Sequence, residues 1–556
     1  MRLPLCILLC AGLLASGACR SKEAPAPAPS VIAEAPAPAS LVAELSVGNP
    51  KETWQRLRLL GGTLAQALPS SLAVLFATSL GLPPAAAGNV DEAVPVVGVL
   101  LAREGATEPD LVVGVHVLSG AELVASLTLG DGAKYRKVEL APRLVRLVSA
   151  PGAAEPRGAL GVSGNYLLLA SGVDALREAG RFVAESVSKR ARVEPGFTLR
   201  ANEKVLKSSL VARLRTTWQA RRAGLAARDR AERDAKGRPP DFADPEVLLS
   251  GVDNTVESWL GVLESSRDLS LELTPEADRL QAELLLSPGA EGAAALMARE
   301  LAVGSLGPLL ELPASARLGL LLRGDAQPSA GGFGASVAKL FGERLNERDA
   351  ARLVTAFDNF SRARRGATVL GFVPSPAPGL VLRCELSENG SFTDALTEVL
   401  ALVQLPAVRS WLGELVGTPT LEVSQAASGE RRAKLRFRRA PADPSPLPST
   451  LFLSFRADGG VGQVLLSPDE KLSLTQLDAV PKLATVTWLA KGQAQLGEEA
   501  ALGLFADARL ALPGGPDEAP VLLSFGKKAE RISLGLSLSA AALPAVARLF
   551  ALEKSP

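Results

Sequence analysis

Asp278-Arg-Leu-Gln-Ala-Glu-Leu-Leu-Leu-Ser287 and Glu530-Arg-Ile-Ser-Leu-Gly-Leu-Ser-Leu-Ser539 lie 252 residues apart and alternate in the same phase. Leu280, Leu284 and Leu286 in one answer to Ile532, Leu536 and Leu538 in the other, and Arg279 answers to Arg531. A period of two marks a strand with one apolar face. An Ala-rich stretch of helical period follows each, Glu291 to Leu301 and Ala540 to Leu552. Strand then helix, each with one face to bury, predicts antiparallel sheet covered by helices, an α+β class.

Two further matches precede this pair in the same order. Val96 to Leu101, a polar turn and Leu111 to Val115 correspond to Val369 to Val373, a Pro/Gly turn and Leu380 to Leu382, with Gly98 matched to Gly371. Helical stretches follow, Ser119 to Leu127 and Ser391 to Val403. Gly164 to Ser171 with the helix from Val173 then corresponds to Gly462 to Pro468 with the helix from Leu472. Three ordered matches predict a duplication. Leu167 and Val464 are 45 residues farther apart than Arg279 and Arg531, so the first copy carries extra sequence between about 170 and 279. The expected organisation is two tandem similar units, residues 41–306 and 313–556, the first with a basic helical insertion at about 190–245. A signal peptide, residues 1–18, and an Ala/Pro linker, residues 19–40, precede them.

At 556 residues and 47% apolar, the chain is too long for a single core. Its 60 Lys and Arg against 59 Asp and Glu argue against a nucleic-acid binder, which is usually basic overall. Aromatics at 4% are few for stacking bases or sugars. A single His rules out His-rich metal centres and most Ser-His-Asp chemistry.

The N-terminus carries the most specific signal. Arg2, an apolar run from Leu3 to Leu14 and the small residues Ala15 to Ala18 make a secretory signal peptide. The run is too short to span a bilayer as a mature helix. The ending Gly17-Ala18-Cys19 resembles the lipobox of bacterial lipoproteins, with Ser16 where that family usually has Leu. The resemblance implies that Cys19 carries fatty acyl groups such as palmitate and becomes the first residue of the mature chain. Arg20 in place of Asp implies, by the family's sorting pattern, the outer membrane of a Gram-negative cell. The alternative is an ordinary signal peptide cut after Ala18. Residues 24–39, rich in alternating Ala and Pro, form an extended tether. It reaches roughly 50 Å at ~3 Å per residue. With Cys6 and Cys10 removed and Cys19 acylated, Cys384 stands alone and no intramolecular disulfide is possible. Cys384 reads as a half-buried strand residue. The strand patterns also look like those of secreted bacterial families without known activity, and the Ala, Leu, Arg and Pro usage like a high-GC, myxobacterium-like source.

From Arg200 to Arg238 there are twelve basic and four acidic residues. Leu206, Leu210, Leu214, Trp218 and Leu225 fall on one helical stripe. A helix from about Asn202 to Lys236 is expected, its stripe against protein and its arginines outward. Arg213, Arg215, Arg221, Arg222 and Arg228 are the candidate contacts to an anionic surface. The plainer alternative is a helical arm with solvated charges.

No motif assembles a catalytic set. Ser186-Val-Ser-Lys189 and Ser336-Val-Ala-Lys339 spell the Ser-x-x-Lys of penicillin-binding proteins, but no Lys-Thr-Gly accompanies them. No Walker-type phosphate loop is present. Asp91-Glu92 reads as a solvated turn and His116 as a strand surface residue. The expectation is a non-enzymatic, membrane-anchored envelope lipoprotein, periplasmic or surface-exposed, without cofactor or metal. Its role would be structural or protein-binding, and its partners the membrane, an envelope protein or anionic lipid. The alternative is a periplasmic carrier of lipid or another apolar ligand.

Overall fold

The computed structural model describes residues 35–543 apart from 63–68, 80–86, 103–108, 130–132, 134, 150–157, 237–244, 325–331, 342–343, 375–376, 388, 426–429, 440–447, 497–498 and 508–518. Helices and strands are mixed, and the strands join in one large antiparallel sheet, an α+β architecture.

In chain order the strands are β1 (Leu41–Gly48), β2 (Val96–Leu101), β3 (Asp110–His116), β4 (Tyr135–Ala141), β5 (Leu144–Ser149), β6 (Ala159–Ser163), β7 (Tyr166–Ala170), β8 (Gly196–Asn202), β9 (Ser266–Pro275) and β10 (Arg279–Pro288). There follow β11 (Leu318–Arg323), β12 (Arg364–Val373), β13 (Gly379–Leu386), β14 (Thr418–Gln425), β15 (Arg431–Arg438), β16 (Thr450–Asp458), β17 (Val461–Ser467), β18 (Ala500–Asp507), β19 (Pro520–Lys528) and β20 (Arg531–Ser539).

Read inward from one edge, the spatial order is β4-β5-β6-β7-β3-β2-β1-β8-β9-β10. Read inward from the other, it is β14-β15-β16-β17-β13-β12-β11-β18-β19-β20. Adding ten to each strand number of the first series gives the second. The two series meet where β10 pairs with β20, from Arg279 opposite Ser539 to Leu286 opposite Ile532. Under the sequence match of Arg279 with Arg531, Glu283 is thereby opposite its own counterpart, Gly535.

Side-chain alternation gives this sheet two unlike faces. On the back face, the helix Val173–Phe182 covers Val99, Val112 and Leu168. At the other end of that face, the segments Gly307–Leu310, Leu474–Ala479 and Thr487–Leu496 belong to the cluster that buries Leu321, Val369, Val381 and Leu522. On the front face, an apolar row runs through paired positions Val47, Phe197, Leu273, Ala282, Leu536 and Leu523. It continues through Leu504, Leu320, Leu370, Leu382 and Val464. Leu370 on this row is 43% exposed, whereas Val369 behind it is 1% exposed.

Some details differ from the sequence reading. Gly98 and Gly371 do not face the same way. Gly98 lies against Leu45 on the front, and Gly371 against Leu312 in the back-face cluster. Apolar alternation fits either register one residue apart, so the pattern alone does not separate them. The insertion is also misplaced: residues 196–202 of the proposed 190–245 are β8, a central strand held on both sides by β1 and β9. The helical excursion lies between β8 and β9 and includes a second long helix, Pro245–Glu264. Asn202 caps its start, accepting from the Val205 N–H at 3.1 Å. Helix then runs to Lys236, with one wide π turn at Leu206–Leu210.

Candidate functional site

The sheet and two helices border a half-open apolar cavity of about 260 Å³ on the front face, over β1, β2, β3 and β8. Val47, Val96, Val113, Val115 and Phe197 form its floor. Its roof comes from the helices Pro50–Leu60 and Leu72–Ser79 through Trp54, Leu57, Leu72, Ala73 and Phe76. Almost all of its surface is apolar. On a scale where a 150 Å³ apolar cavity stays dry and takes benzene, this volume suits a hydrocarbon segment.

The roof is held by a few polar groups at its margin. Asn49, in left-handed backbone at φ 36°, accepts from the Glu52 N–H, and Pro50 opens the first helix. Thr53 is buried; its hydroxyl donates to the Gly48 carbonyl at 2.6 Å and accepts from the Gly196 N–H at 2.9 Å, tying the helix to β1 and β8. Glu92 serves both helices. Its carbonyl accepts from the Lys51 N–H, and its carboxylate accepts from the Ala73 N–H at 2.7 Å and the Ser71 hydroxyl at 3.0 Å. A carboxylate at the first turn of Leu72–Ser79 is also favoured by the helix dipole. Trp54 donates its indole N–H to the Pro69 carbonyl at 2.8 Å, leaving the ring body to the cavity.

Asp91, beside Glu92, lies within 3.3 Å of His116 Nδ1, and its carboxylate accepts from the Ala93 N–H. The two are close enough to pair as ions but are not aligned as a hydrogen bond. The His116 ring meets Tyr166 edge to face at 5.2 Å. The expectation of a solvated turn is corrected for Asp91 and Glu92, which border the cavity and are half-buried, whereas His116 sits on the opposite face of β3 beside Tyr166. Single-residue reading missed this because the turn joins its partners only once β3 is paired.

The basic helix is not a free cationic face. Arg215 pairs with Glu257 through Nε at 3.2 Å and Nη2 at 3.1 Å. Arg222 donates to Asp253 at 2.7 Å, and Trp218 donates to the same carboxylate at 2.9 Å. The hydrogen bond from Arg222, with that from Trp218, holds the Asp253 carboxyl below its usual range. The outward orientation expected of all five arginines is therefore corrected for Arg215 and Arg222, because the adjoining helix supplies carboxylates. Arg213, Arg221 and Arg228 are exposed. The apolar stripe is split as well. Leu206 is fully buried among Val205, Val262 and Leu286, while Leu214 and Leu225 are 41% and 44% exposed.

Cys384 is fully buried rather than half-buried, and burial pushes its thiol up to about 11. That is the opposite of what a nucleophile needs. Among the described residues no group of three His, Cys, Asp or Glu side chains is placed to hold a metal. None of the described helices is alone long and apolar enough to cross a membrane. Cys19 lies outside the described residues.

A solved structure titled "Structure of crystal form IV of TP0453" aligns with a TM-score of 0.19 and 11% identity, over 44% of this chain and 96% of that one. No family model and no curated protein matches the sequence.

Proposed function

We propose that the protein is an envelope lipoprotein that binds an apolar ligand, a lipid acyl chain, in the cavity between the helices Pro50–Leu60 and Leu72–Ser79 and the sheet. The observation that carries this reading is the almost wholly apolar lining of a cavity of about 260 Å³. Filling such a space with hydrocarbon gains roughly 25 cal/mol per Å² of apolar surface removed from water. On this reading Cys19 is acylated and the Ala/Pro linker holds the folded body near the outer membrane, where lipid is at hand. The shared strand order of the two halves is read as a tandem duplication in which only the first copy received the helical excursion between β8 and β9.

Titration with fatty acids brominated along the chain tests the binding. Trp54 lines the cavity, so its emission should be quenched, and the quenching should be markedly smaller in Trp54→Phe. Equal quenching in both proteins would overturn the cavity reading. Palmitate labelling of wild type, lost in Cys19→Ala, tests the anchor separately.

A further inference from the structure

We propose that the open front face of the sheet is a track on which the acyl chains of a lipid lie, continuous with the cavity; the proposal rests on the cavity reading above. Val47 and Phe197 belong to both places: they are cavity floor and the first members of the apolar front row. From them to Val464 no polar side chain interrupts the row, a span of roughly 50 Å at ~4.8 Å between strands. Flanking positions are apolar and open as well: Leu318, Leu322, Leu380 and Leu534 are 39–46% exposed. Singly scattered apolar residues are ordinary on a surface, but a contiguous field of this extent marks an interaction site. The back face shows the contrast. Along the part of its matching row on β1, β8, β9 and β10 stand Ser46, Thr198, Glu272 and Glu283, and where that row turns apolar, at Leu321, Val369 and Val381, it is buried.

The surroundings favour a thin, flexible occupant over a second folded chain. The cavity roof stands over one end of the floor. The helix Asn389–Ala401 stands over the other, with Phe392 packed on Gly462 and clustered with Val464. Along one side Trp259 of the helical excursion sits edge to face on Phe525 at 5.3 Å. A floor walled on three sides obstructs a broad protein surface but admits hydrocarbon. An acyl chain leaving the cavity remains on apolar surface from the first strand onward.

The test places the photo-crosslinker p-benzoylphenylalanine in the full chain at Phe76 in the cavity, at Leu504 and Leu370 on the floor, and at Glu272 on the back face. Each protein is irradiated with vesicles of phosphatidylethanolamine and phosphatidylglycerol and analysed by mass. Lipid adducts are expected at Phe76, Leu504 and Leu370, and at least tenfold less at Glu272. A Leu320→Asp change should lower the adducts at Leu370 at least fivefold and leave those at Phe76 unchanged. Adducts at Phe76 alone would overturn the track and leave the cavity reading standing. Chain-to-chain crosslinks at Leu504 and Leu370 in place of lipid would overturn the track in favour of a second copy. Lipid on the floor without lipid at Phe76 would overturn the continuity and the cavity reading together.

Discussion

Glu283 of β10 and Gly535 of β20 stand directly opposite each other at the junction of two ten-strand series. Their surroundings differ. Glu283 accepts from Lys528 Nζ at 2.6 Å on the back face. Gly535 lies beneath the helix Thr487–Leu496, and a Cβ there would come within 2.6 Å of Leu496 Cδ2. Glu283 thus holds a partly exposed ion pair, while Gly535 makes room for close helix packing.

Gly535→Ala should therefore destabilise the protein by about 1–3 kcal/mol through overpacking. Glu283→Ala should cost under about 1 kcal/mol, since its pair is partly exposed. Urea unfolding of both variants checks the ordering, and a smaller loss at Gly535 would mean that Leu496 gives way freely.

Glu92→Ala should remove the carboxylate that caps Leu72–Ser79 and cost about 1 kcal/mol. Hydrogen exchange should speed up at the Ala73 amide, which donates to that carboxylate. Exchange across the helix Gly120–Thr128, capped by its own Ser119, should not change.

Arg279 is fully buried, with its guanidinium over Trp488 at 4.8 Å and two hydrogen bonds to the Asp278 carboxylate. The hydrogen bond from Arg279 holds that carboxyl below its ordinary value. A carboxyl depressed in the folded state stabilises fully above its unfolded pKa, about 3.9, and its contribution fades as pH falls through the lower folded value. Arg279→Met should thus lower stability at neutral pH and show a shallower further loss between about pH 4 and 2. Thermal melts across that range read the difference in slope, which is small because Asp278 is half exposed.

The Cys384 thiol should resist alkylation at pH 8 in the folded protein, because it is buried and titrates near 11. Modification of the peptide containing Cys384, followed by mass spectrometry, should track unfolding in urea. Rapid labelling without denaturant would contradict the burial.

The class of fold and many of its strands were legible because alternation survives in residues such as Leu280, Leu284, Leu286 and their counterparts Ile532, Leu536 and Leu538. The strand order was not, since the pairing of β10 with β20 joins residues far apart and leaves no local pattern. Register was ambiguous for a physical reason: in Val96 to Leu101 both faces are apolar, so a slip of one residue, as between Gly98 and Gly371, goes unmarked. The basic helix was visible through its stripe and its excess of basic residues. Its partners Asp253 and Glu257 lie a helix away, so the neutralisation of Arg215 and Arg222 was hidden. The cavity was out of reach because its floor draws on four strands and its roof on two helices, with Glu92 recognisable as a cap only after folding.

Native mass spectrometry of the protein released from membranes in mild detergent reads occupancy of the cavity itself. Wild type should retain a co-purifying lipid, beyond any acyl groups fixed covalently, and Ala73→Trp, which fills the cavity, should lose it while keeping its fold by circular dichroism. A wild-type mass with no bound lipid, or a lipid retained equally by Ala73→Trp, would contradict it.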